Sequence, residues 1–489
     1  MALDRRLRAA LGVAAAGATA AAAMTLLNWR RRDDSRHRRR VGQGASSAVS
    51  SRGMRMNMPS LSFIGGVVDF KDPYQAELFG SLESGEWAFL AVAENRLMWD
   101  VVKPLVTRAL QSLPDSSVSY LPMQGQVALR QALSRFFERR VMKVPVPANE
   151  LVCGAGVSAV VSNLFYCLCE EGDLVLMPAP YYSAFDSDLR AFCNLRRVLV
   201  PLDPEEGYRL SVDALEHAYR QAQKTTGQDP KVLLLTNPHN PLGRIAPRDE
   251  LEAVLEWCVR KGLHLVSDEI YALSCFDEHL SGSGRTAVGA SSFVSIAEIC
   301  NGVLSDHVHV IWGVSKDFGM SGVRVGVVWS QNGLLLEALR NASKFTSVSG
   351  PIQAMVTGLL SDDDFVDMYV VENRRRLGAS CDFLLRQLEA LGLPVVVPAA
   401  GLFVWVDMGP LLPLLDGAAR KTPADLEGEL HERLQNELHI VITPGATQHA
   451  SRHGWFRICY ASVPLSTLSS AMSRFSKWVV GLRQAAANA

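Results

Sequence analysis

The sequence lacks the cysteine patterns that mark zinc sites and disulfide frameworks. Its nine cysteines are scattered over 489 residues, and Cys167 and Cys169 form the only close pair. Zinc sites and disulfide-rich domains need several cysteines at short, regular spacings. Most of these cysteines lie in apolar runs, where buried free thiols are common. The pattern therefore predicts free thiols, a reducing compartment and no metal site.

The sequence also lacks the excess positive charge of a nucleic-acid-binding protein. The net charge is −1, but residues 1–58 contain 12 arginines, no lysine and three aspartates, which give +9, so the remaining residues carry −10. An acidic main part predicts no nucleic-acid partner, because nucleic acids bind to basic surfaces. With 48% hydrophobic residues and no internal repeats, the chain is long enough for two globular domains.

Residues 9–27 contain no charged residue, and arginines flank this stretch on both sides. Its 19 positions are enough to span a bilayer, although most are alanine, glycine or threonine. Three interpretations remain open: a single-pass membrane anchor, a targeting peptide for a mitochondrion or plastid, and a disordered or marginally helical tail. Residues 35–58 are predicted to form a flexible polar linker in each case. Without an anchor or targeting peptide, the protein is expected in the cytoplasm.

Helical and strand patterns alternate after residue 100. Such alternation predicts an α/β fold with a mostly parallel, doubly wound sheet flanked by helices. Sheets of this kind bind ligands at the carboxyl ends of their strands. The predicted strands are at residues 174–177, 232–236, 263–267 and 308–312, and the predicted helices are at residues 127–140, 157–170 and 251–261.

The pattern changes after about residue 345 and indicates a smaller α+β domain. One long helix is predicted at residues 365–393, with strands at residues 395–397, 402–406 and 440–443. The predicted organisation is an N-terminal segment of residues 1–58, an arm of residues 59–100 that contributes to the small domain, a large domain of residues 101–345 and a small domain of residues 346–489.

Lys316 follows the apolar run from Val308 to Trp312, and Arg324 comes eight residues later. A lysine held at the end of a buried strand loses its proton readily and can attack a carbonyl group. An arginine is suited to bind a phosphate. A reactive carbonyl together with a phosphate describes pyridoxal 5′-phosphate (PLP). The sequence therefore predicts this cofactor.

Three further motifs accompany Lys316. Asn237–Gly243 (Asn-Pro-His-Asn-Pro-Leu-Gly) and Ser267–Tyr271 (Ser-Asp-Glu-Ile-Tyr) each follow a predicted strand, and Gly454–Ile458 (Gly-Trp-Phe-Arg-Ile) lies near the C-terminus. In this order the motifs resemble those of the fold-type-I PLP-dependent enzymes, the class I/II aminotransferase superfamily. The resemblance implies the aminotransferase fold of type I, in which the large domain binds PLP.

Within this superfamily, the chain is most similar to the branch of 1-aminocyclopropane-1-carboxylate (ACC) synthase-like enzymes. The segments that carry the closer similarity are residues 90–97 (Leu-Ala-Val-Ala-Glu-Asn-Arg-Leu), 180–190 (Pro-Tyr-Tyr-Ser-Ala-Phe-Asp-Ser-Asp-Leu-Arg) and 315–322 (Ser-Lys-Asp-Phe-Gly-Met-Ser-Gly). The resemblance extends from about residue 60 to about residue 480.

The resemblance implies a catalytic role for three residues and a supporting role for a fourth. Lys316 would form a Schiff base with the cofactor and then move the Cα proton of the substrate. Asp268 would keep the pyridine nitrogen protonated, and Tyr271 and Asn240 would donate hydrogen bonds to the ring 3-oxygen. Taken singly, Asp268 could equally cap a turn and Asn240 could simply form an Asn-Pro turn.

The phosphate of the cofactor needs backbone N–H groups at a helix start and a hydroxyl group. The turn Gly154–Gly156 opens the helix predicted at residues 157–170. By resemblance, Val157 contributes its N–H and Ser158 its hydroxyl, Arg324 adds positive charge, and Ser315 is a further cofactor-binding residue.

Three more residues are implied around the cofactor ring and the substrate. Tyr182 would stack on the ring, with core packing as the alternative. Arg457 would bind the α-carboxylate in a two-pronged fork, with a salt bridge on an edge strand as the alternative. Glu94 aligns with an acidic residue near the substrate of ACC synthases, but it could also be an ordinary loop carboxylate.

The sequence departs from the family pattern at two positions. Family members carry a serine three residues before the lysine, where this chain has Gly313. ACC synthases carry a tyrosine that reaches across a dimer interface, where this chain has Met123, which cannot donate a hydrogen bond. Tyr120, three residues earlier, is a candidate substitute. These departures put ACC synthesis in doubt and leave cofactor binding intact.

We therefore expect a PLP-dependent aminotransferase that converts an L-amino acid to a 2-oxo acid, with a second 2-oxo acid as co-substrate. The alternative is an ACC synthase acting on S-adenosylmethionine, and a third hypothesis is a PLP-binding protein that has lost turnover. The resemblance also implies a homodimer, because family active sites form at a subunit interface.

Overall fold

A computed structural model describes residues 50, 87–276, 285–289 and 292–488. In these stretches no helix combines the length and apolarity needed to cross a membrane. The predicted anchor or targeting segment at residues 9–27 lies outside the described residues, as does the predicted linker apart from Ser50. The membrane tether and the cellular location therefore stay predictions.

The strands are β1 (Ala88–Phe89), β2 (Leu151–Gly154), β3 (Leu174–Ala179), β4 (Arg196–Pro201), β5 (Val232–Thr236), β6 (His264–Asp268), β7 (Val308–Gly313), β8 (Gly326–Ser330), β9 (Val395–Val396), β10 (Phe403–Asp407), β11 (Ile440–Val441), β12 (Thr443–Pro444) and β13 (Trp455–Cys459). The helices are α1 (Trp99–Gln111), α2 (Val127–Phe136), α3 (Val157–Leu168), α4 (Phe185–Ala191), α5 (Val212–Thr226), α6 (Arg248–Lys261), α7 (Ile296–Ile299), α8 (Val314–Asp317), α9 (Gly333–Ala342), α10 (Gly350–Ser361), α11 (Asp363–Ala390), α12 (Pro423–Leu438) and α13 (Leu465–Asn488). A π-helical turn (Phe137–Val141) continues α2.

A seven-stranded sheet with the order β2-β8-β7-β6-β5-β3-β4 forms the centre of the fold. The five strands from β7 to β4 are parallel, and β8 runs antiparallel to both of its neighbours. This arrangement confirms the predicted α/β fold with a mostly parallel sheet. The continuous apolar run of β5 is buried at every position, as expected for a strand covered by helices on both faces.

Successive residues of the parallel strands face two separate hydrophobic cores. On β5, Leu234 packs with the α3 side chains, whereas Leu233 and Leu235 pack with the α2 and α6 side chains on the opposite face. This alternation follows from the two-residue period of a strand. Helices on both faces make the sheet doubly wound and leave the carboxyl ends of its strands to form a cleft.

A second, antiparallel sheet has the order β12-β13-β10-β9. The helix predicted at residues 365–393 is present as α11, whose first turn is capped by the Asp362 carboxylate accepting from Phe365 N at 3.0 Å. The prediction of one strand at residues 440–443 is wrong. Ile440–Val441 pairs with Ala88–Phe89, whereas Thr443–Pro444 pairs with β13, so the segment serves two sheets. The domain limits predicted from the sequence stay predictions.

Candidate active site

Residues predicted to hold PLP lie together at the carboxyl ends of adjacent parallel strands. Asp268 is the last residue of β6, Lys316 follows β7 on the short helix α8, and the motif Asn237–Gly243 follows β5. Asp268, Lys316 and Asn240 of this motif border a single cleft that is open to solvent. The nine predicted cofactor residues all line this cleft: Val157, Ser158, Tyr182, Asn240, Asp268, Tyr271, Ser315, Lys316 and Arg324.

Lys316 points its amine into the cleft from the turn after β7. Its Nζ donates a hydrogen bond to the Ala93 carbonyl at 2.6 Å. Burial lowers the pKa of Lys316 to about 8, and the positive charge of Arg457 acts in the same direction. A lysine with such a pKa is partly neutral near physiological pH, as a nucleophilic amine must be.

Asp268 and Tyr271 face the same cleft from the turn after β6. The Asp268 carboxylate accepts a hydrogen bond from Ile270 N at 3.3 Å, and burial raises the pKa of Asp268 to about 7. A carboxyl group in this position gains from a nearby cation, such as a protonated ring nitrogen. Burial raises the pKa of Tyr271 well above its usual value, so its hydroxyl remains a hydrogen-bond donor. Tyr271 is held edge-on against Phe403, with ring centroids 5.5 Å apart.

Arg457, on β13, does not line the cleft itself but is hydrogen-bonded to Asn240, which does. Its Nη1 donates to Asn240 Oδ1 at 2.8 Å, and its Nη2 donates to the Ala91 carbonyl at 2.6 Å. Its Nε–H is buried without a hydrogen-bond partner among the described residues. Because β13 lies between β12 and β10, Arg457 is not on an edge strand. An arginine held in place with an unused N–H is suited to bind a carboxylate.

The turn that opens α3 forms the phosphate end of the cleft. Gly156 has a positive φ of 89°, and a Cβ atom at this residue would lie 2.2 Å from Arg324 Nη2. The guanidinium of Arg324 therefore lies against the glycine turn, beside the first N–H groups of α3, which have no partner within the helix. Arg324 is held by a hydrogen bond from its Nη1 to the Ser321 carbonyl at 2.9 Å. This combination of N–H groups and positive charge fits a phosphate.

Close packing explains why position 313 is a glycine in this chain rather than the serine found in the family. A Cβ atom at Gly313 would lie 2.7 Å from the Val325 carbonyl oxygen and 2.8 Å from Val157 Cγ2. No larger residue fits without moving β8 or the start of α3. The hydroxyl groups that line the phosphate end are instead those of Ser158, Ser315 and Ser321.

Glu94 does not line the cleft but lies next to it. Its carboxylate accepts a hydrogen bond from the Ser321 hydroxyl at 2.9 Å, and the neighbouring Ala93 carbonyl accepts from Lys316. Met123 and Tyr120 do not line the cleft of this chain either, and Tyr120 is 96% exposed.

Five residues that sequence reasoning missed also line the cleft: Phe185, Asp188, Thr236, Ile270 and Ser321. Each lies inside or directly beside one of four sequence segments that carry the family resemblance: residues 180–190, 237–243, 267–271 or 315–322. Asp188 is the most unusual, because its carboxyl group lies near the Ser158 hydroxyl at the phosphate end. Burial raises the pKa of Asp188 to about 7, which keeps this group largely neutral below that pH.

The family model described as aminotransferase class I and II matches residues 89–475. The chain belongs to the class I and II aminotransferases. It is 35% identical over 408 residues to 1-aminocyclopropane-1-carboxylate synthase 1 of Oryza sativa subsp. indica, with 80% of each chain covered. It is 37% identical over 372 residues to 1-aminocyclopropane-1-carboxylate synthase 4 of Oryza sativa subsp. japonica, with 73% of this chain and 72% of the relative covered.

Among solved structures, the aspartate aminotransferase from Thermus thermophilus with maleate is similar, with a TM-score of 0.68 and 25% identity. The match covers 83% of this chain and 95% of that one. Membership of this family makes the protein a PLP-dependent enzyme. The cleft fits the cofactor, because it combines a lysine amine, a buried carboxyl group and a glycine turn beside an arginine.

Proposed function

We propose that this class I and II aminotransferase acts on an L-amino acid and releases the corresponding 2-oxo acid. The observation that carries the proposal is that Lys316 and Asp268 line a single cleft, and that Arg457 is hydrogen-bonded to Asn240, which lines the same cleft. An amine, a carboxyl group and a carboxylate-binding guanidinium are the groups that a PLP-dependent reaction at the Cα atom of an amino acid requires.

Each of these side chains has a defined task in the proposed reaction. When bound, PLP withdraws electrons from the substrate so that a bond to Cα can break. Arg457 would hold the α-carboxylate through its guanidinium, whose Nε–H has no partner among the described residues, and this contact would fix the orientation of Cα. Lys316 would take the Cα proton and return it later in the reaction, and water would then release the 2-oxo acid.

The polar residues around the ring control its charge. The Asp268 carboxylate would pair with the ring nitrogen and keep it protonated, while Asn240 and Tyr271 would donate to the ring 3-oxygen. Tyr182 lines the same cleft, and burial raises the pKa of Tyr182 to about 12, so its neutral ring is available for stacking on the cofactor ring. The residues that would bind the phosphate are Val157, Ser158, Ser315 and Arg324.

ACC synthesis from S-adenosylmethionine is the second candidate. The similarity to plant ACC synthases and the position of Glu94 favour it, because the Glu94 carboxylate is fixed by Ser321 next to the Lys316 contact at Ala93. In that reaction Lys316 removes the same proton, Cα closes onto the γ-carbon, and methylthioadenosine leaves. Met123 weighs against this candidate, since it lacks the hydrogen-bond donor of the family tyrosine.

A homodimer is part of the proposal. Val118, Tyr120 and Phe345 are apolar or aromatic residues that are at least 86% exposed in the single chain. Phe345 lies close to the turn that opens α3, because the carbonyl of the next residue, Thr346, accepts a hydrogen bond from Ala155 N at 2.8 Å. An apolar surface beside the phosphate end supports contact with a second copy. Sedimentation of the full-length protein tests this, and a monomer at micromolar concentration would count against it.

The test of function is an absorbance spectrum of the full-length protein with PLP, recorded before and after addition of single amino acids or S-adenosylmethionine. Products are identified by mass. Conversion of the cofactor to its pyridoxamine form together with a 2-oxo acid supports the aminotransferase. ACC with methylthioadenosine supports the synthase instead. A bound cofactor that responds to none of these compounds supports a PLP-binding protein without turnover.

A further inference from the structure

Asp317, directly after Lys316, is a buried carboxyl group that the proposed reaction does not use. It is 1% exposed and lines no part of the cofactor cleft. Its Oδ1 accepts from the Ser274 hydroxyl at 2.7 Å, and its Oδ2 accepts from Leu273 N at 3.1 Å and from Trp312 Nε1 at 2.9 Å. Burying a carboxyl group costs free energy of folding unless hydrogen bonds compensate for the lost contact with water.

These hydrogen bonds join two turns that carry cofactor residues. Lys316 lies on one turn, and Tyr271 lies two residues before Leu273 on the other. The strands beneath them stop pairing at Asp268 and Ile311, apart from a last bond from Glu269 N to the Ile311 carbonyl at 2.9 Å. Beyond that point the Asp317 carboxyl group provides the connection between the two turns.

The contacts extend to a third segment of the site. Asn373 Nδ2 donates to the Asp317 carbonyl at 3.5 Å, and Asn373 Oδ1 accepts from Asn95 Nδ2 at 2.7 Å. Asn95 follows Ala93 and Glu94, and the Ala93 carbonyl accepts from the Lys316 amine. Asp317 thus belongs to a buried network that fixes the three segments around the amine.

We propose that Asp317 is a positioning residue that sets the Lys316 amine against the Tyr271 hydroxyl. The proposal rests on the proposed function, in which both groups contact the cofactor. Burial raises the pKa of Asp317 to about 7, but three donors directed at its oxygens favour the charged form. Leu273 and Ser274 donate across from the other turn, whereas Trp312, on β7, orients the carboxyl group that accepts these two bonds. Loss of either kind of donor would let the two turns separate, and the Tyr271 hydroxyl would then no longer reach the 3-oxygen of the cofactor.

The effect is visible in the absorbance of the lysine-bound cofactor as a function of pH. A hydroxyl group that donates to the ring oxygen stabilises negative charge there, so losing this donor raises the pH midpoint of the absorbance change. We expect Ser274→Ala and Trp312→Phe each to raise the midpoint by about half a pH unit or more, and Asp317→Ala to weaken PLP binding by roughly tenfold as well.

The chain offers a matched control and a conservative variant. Trp329 on β8 is as buried as Trp312 and donates its indole N–H to Glu150 Oε2 at 3.0 Å, away from the cofactor cleft. Trp329→Phe should therefore lower the unfolding temperature of the cofactor-free protein without moving the pH midpoint. Asp317→Asn should titrate close to the wild type, because Asn can accept from Trp312 and Leu273 and donate to the Ser274 hydroxyl oxygen.

If Ser274→Ala and Trp312→Phe keep the wild-type pH midpoint and lose stability as Trp329→Phe does, Asp317 only supports the fold. If both variants have a raised pH midpoint and Asp317→Asn has the wild-type midpoint, the positioning role is established. Failure of the proposed function looks different, because the wild-type protein would then release no 2-oxo acid from any amino acid, whatever the pH midpoints of the variants.

Discussion

Replacing Asp268 with asparagine should stabilise the cofactor-free protein and at the same time weaken its binding of PLP. Asp268 is 5% exposed, and burial raises its pKa from 3.8 to about 7. At about 1.4 kcal/mol for each pKa unit, burial disfavours the charged carboxylate by about 4 kcal/mol. The wild-type protein carries this cost, whereas an asparagine at the same position has no charge to bury.

The sign of the pH dependence follows from the two pKa values. Between pH 3.8 and about 7 the unfolded chain ionises Asp268 but the folded chain does not, so stability is lost as the pH rises through this window and is constant above it. The difference in unfolding free energy between Asp268→Asn and the wild type should therefore widen by about 2–3 kcal/mol from pH 5 to pH 8. Unfolding of both cofactor-free proteins at these two pH values measures the difference.

The second half of the prediction concerns the cofactor. Addition of PLP should stabilise the wild type much more than Asp268→Asn, because only the carboxylate can pair with a protonated ring nitrogen. Glu269→Gln is the matched control: burial also raises the pKa of Glu269 to about 7, but this residue accepts from Ser295 and Ser267 and lies outside the cleft. Its PLP affinity should stay at the wild-type value. A pH-independent difference in stability, or unchanged PLP affinity in Asp268→Asn, would refute the reasoning.

Three further substitutions test other parts of the site and fold. Arg457→Lys should raise the KM for the amino acid about ten- to a hundredfold in steady-state kinetics, because a lysine cannot form the two-pronged contact; an unchanged KM would exclude the carboxylate role. Gly156→Ala should weaken PLP binding more than tenfold in a cofactor titration, since the new Cβ atom would lie 2.2 Å from Arg324 Nη2. Gly262→Ala is the control, because Gly262 also has a positive φ but has open space around it, and this variant should keep the wild-type PLP affinity. Burial lowers the pKa of His309 to about 3, so the folded protein loses stability as the pH falls below 6.5. In thermal unfolding, His309→Gln should therefore lose less stability than the wild type between pH 6.5 and pH 4. Equal losses in the two proteins would contradict this.

Apolar runs predicted four of the seven strands of the central sheet, β3, β5, β6 and β7, but not the apolar strands β2 and β8. Val232–Thr236 is one of the predicted strands, and the structure begins and ends β5 at these residues. Strand β4 lies at the edge of the sheet and begins with two exposed arginines, so its apolar run is only three residues long and does not by itself indicate a strand. The segment at residues 440–443 was predicted as one strand because local sequence does not show that its two halves pair with different partners.

The cleft could be predicted where a reactive residue lies at the end of a strand or a few residues past it. Asp268 and Lys316 satisfy this condition, and parallel strands bring them to one edge of the sheet. The role inferred for Asp317 depends on Ser274, which lies 43 residues away, so no local spacing indicates it. Asp188 lies on α4 and meets Ser158 only when two helices pack together.

Reduction of the PLP-loaded protein with borohydride, followed by peptide mapping, tests most directly whether Lys316 holds the cofactor. The reduction makes the lysine–cofactor bond permanent, and the modified residue is then identified by mass. We expect one modified peptide, with the cofactor on Lys316, and no modification in Lys316→Ala. Modification of a different lysine, or bound PLP that borohydride does not attach to the chain, would contradict the assignment of the site.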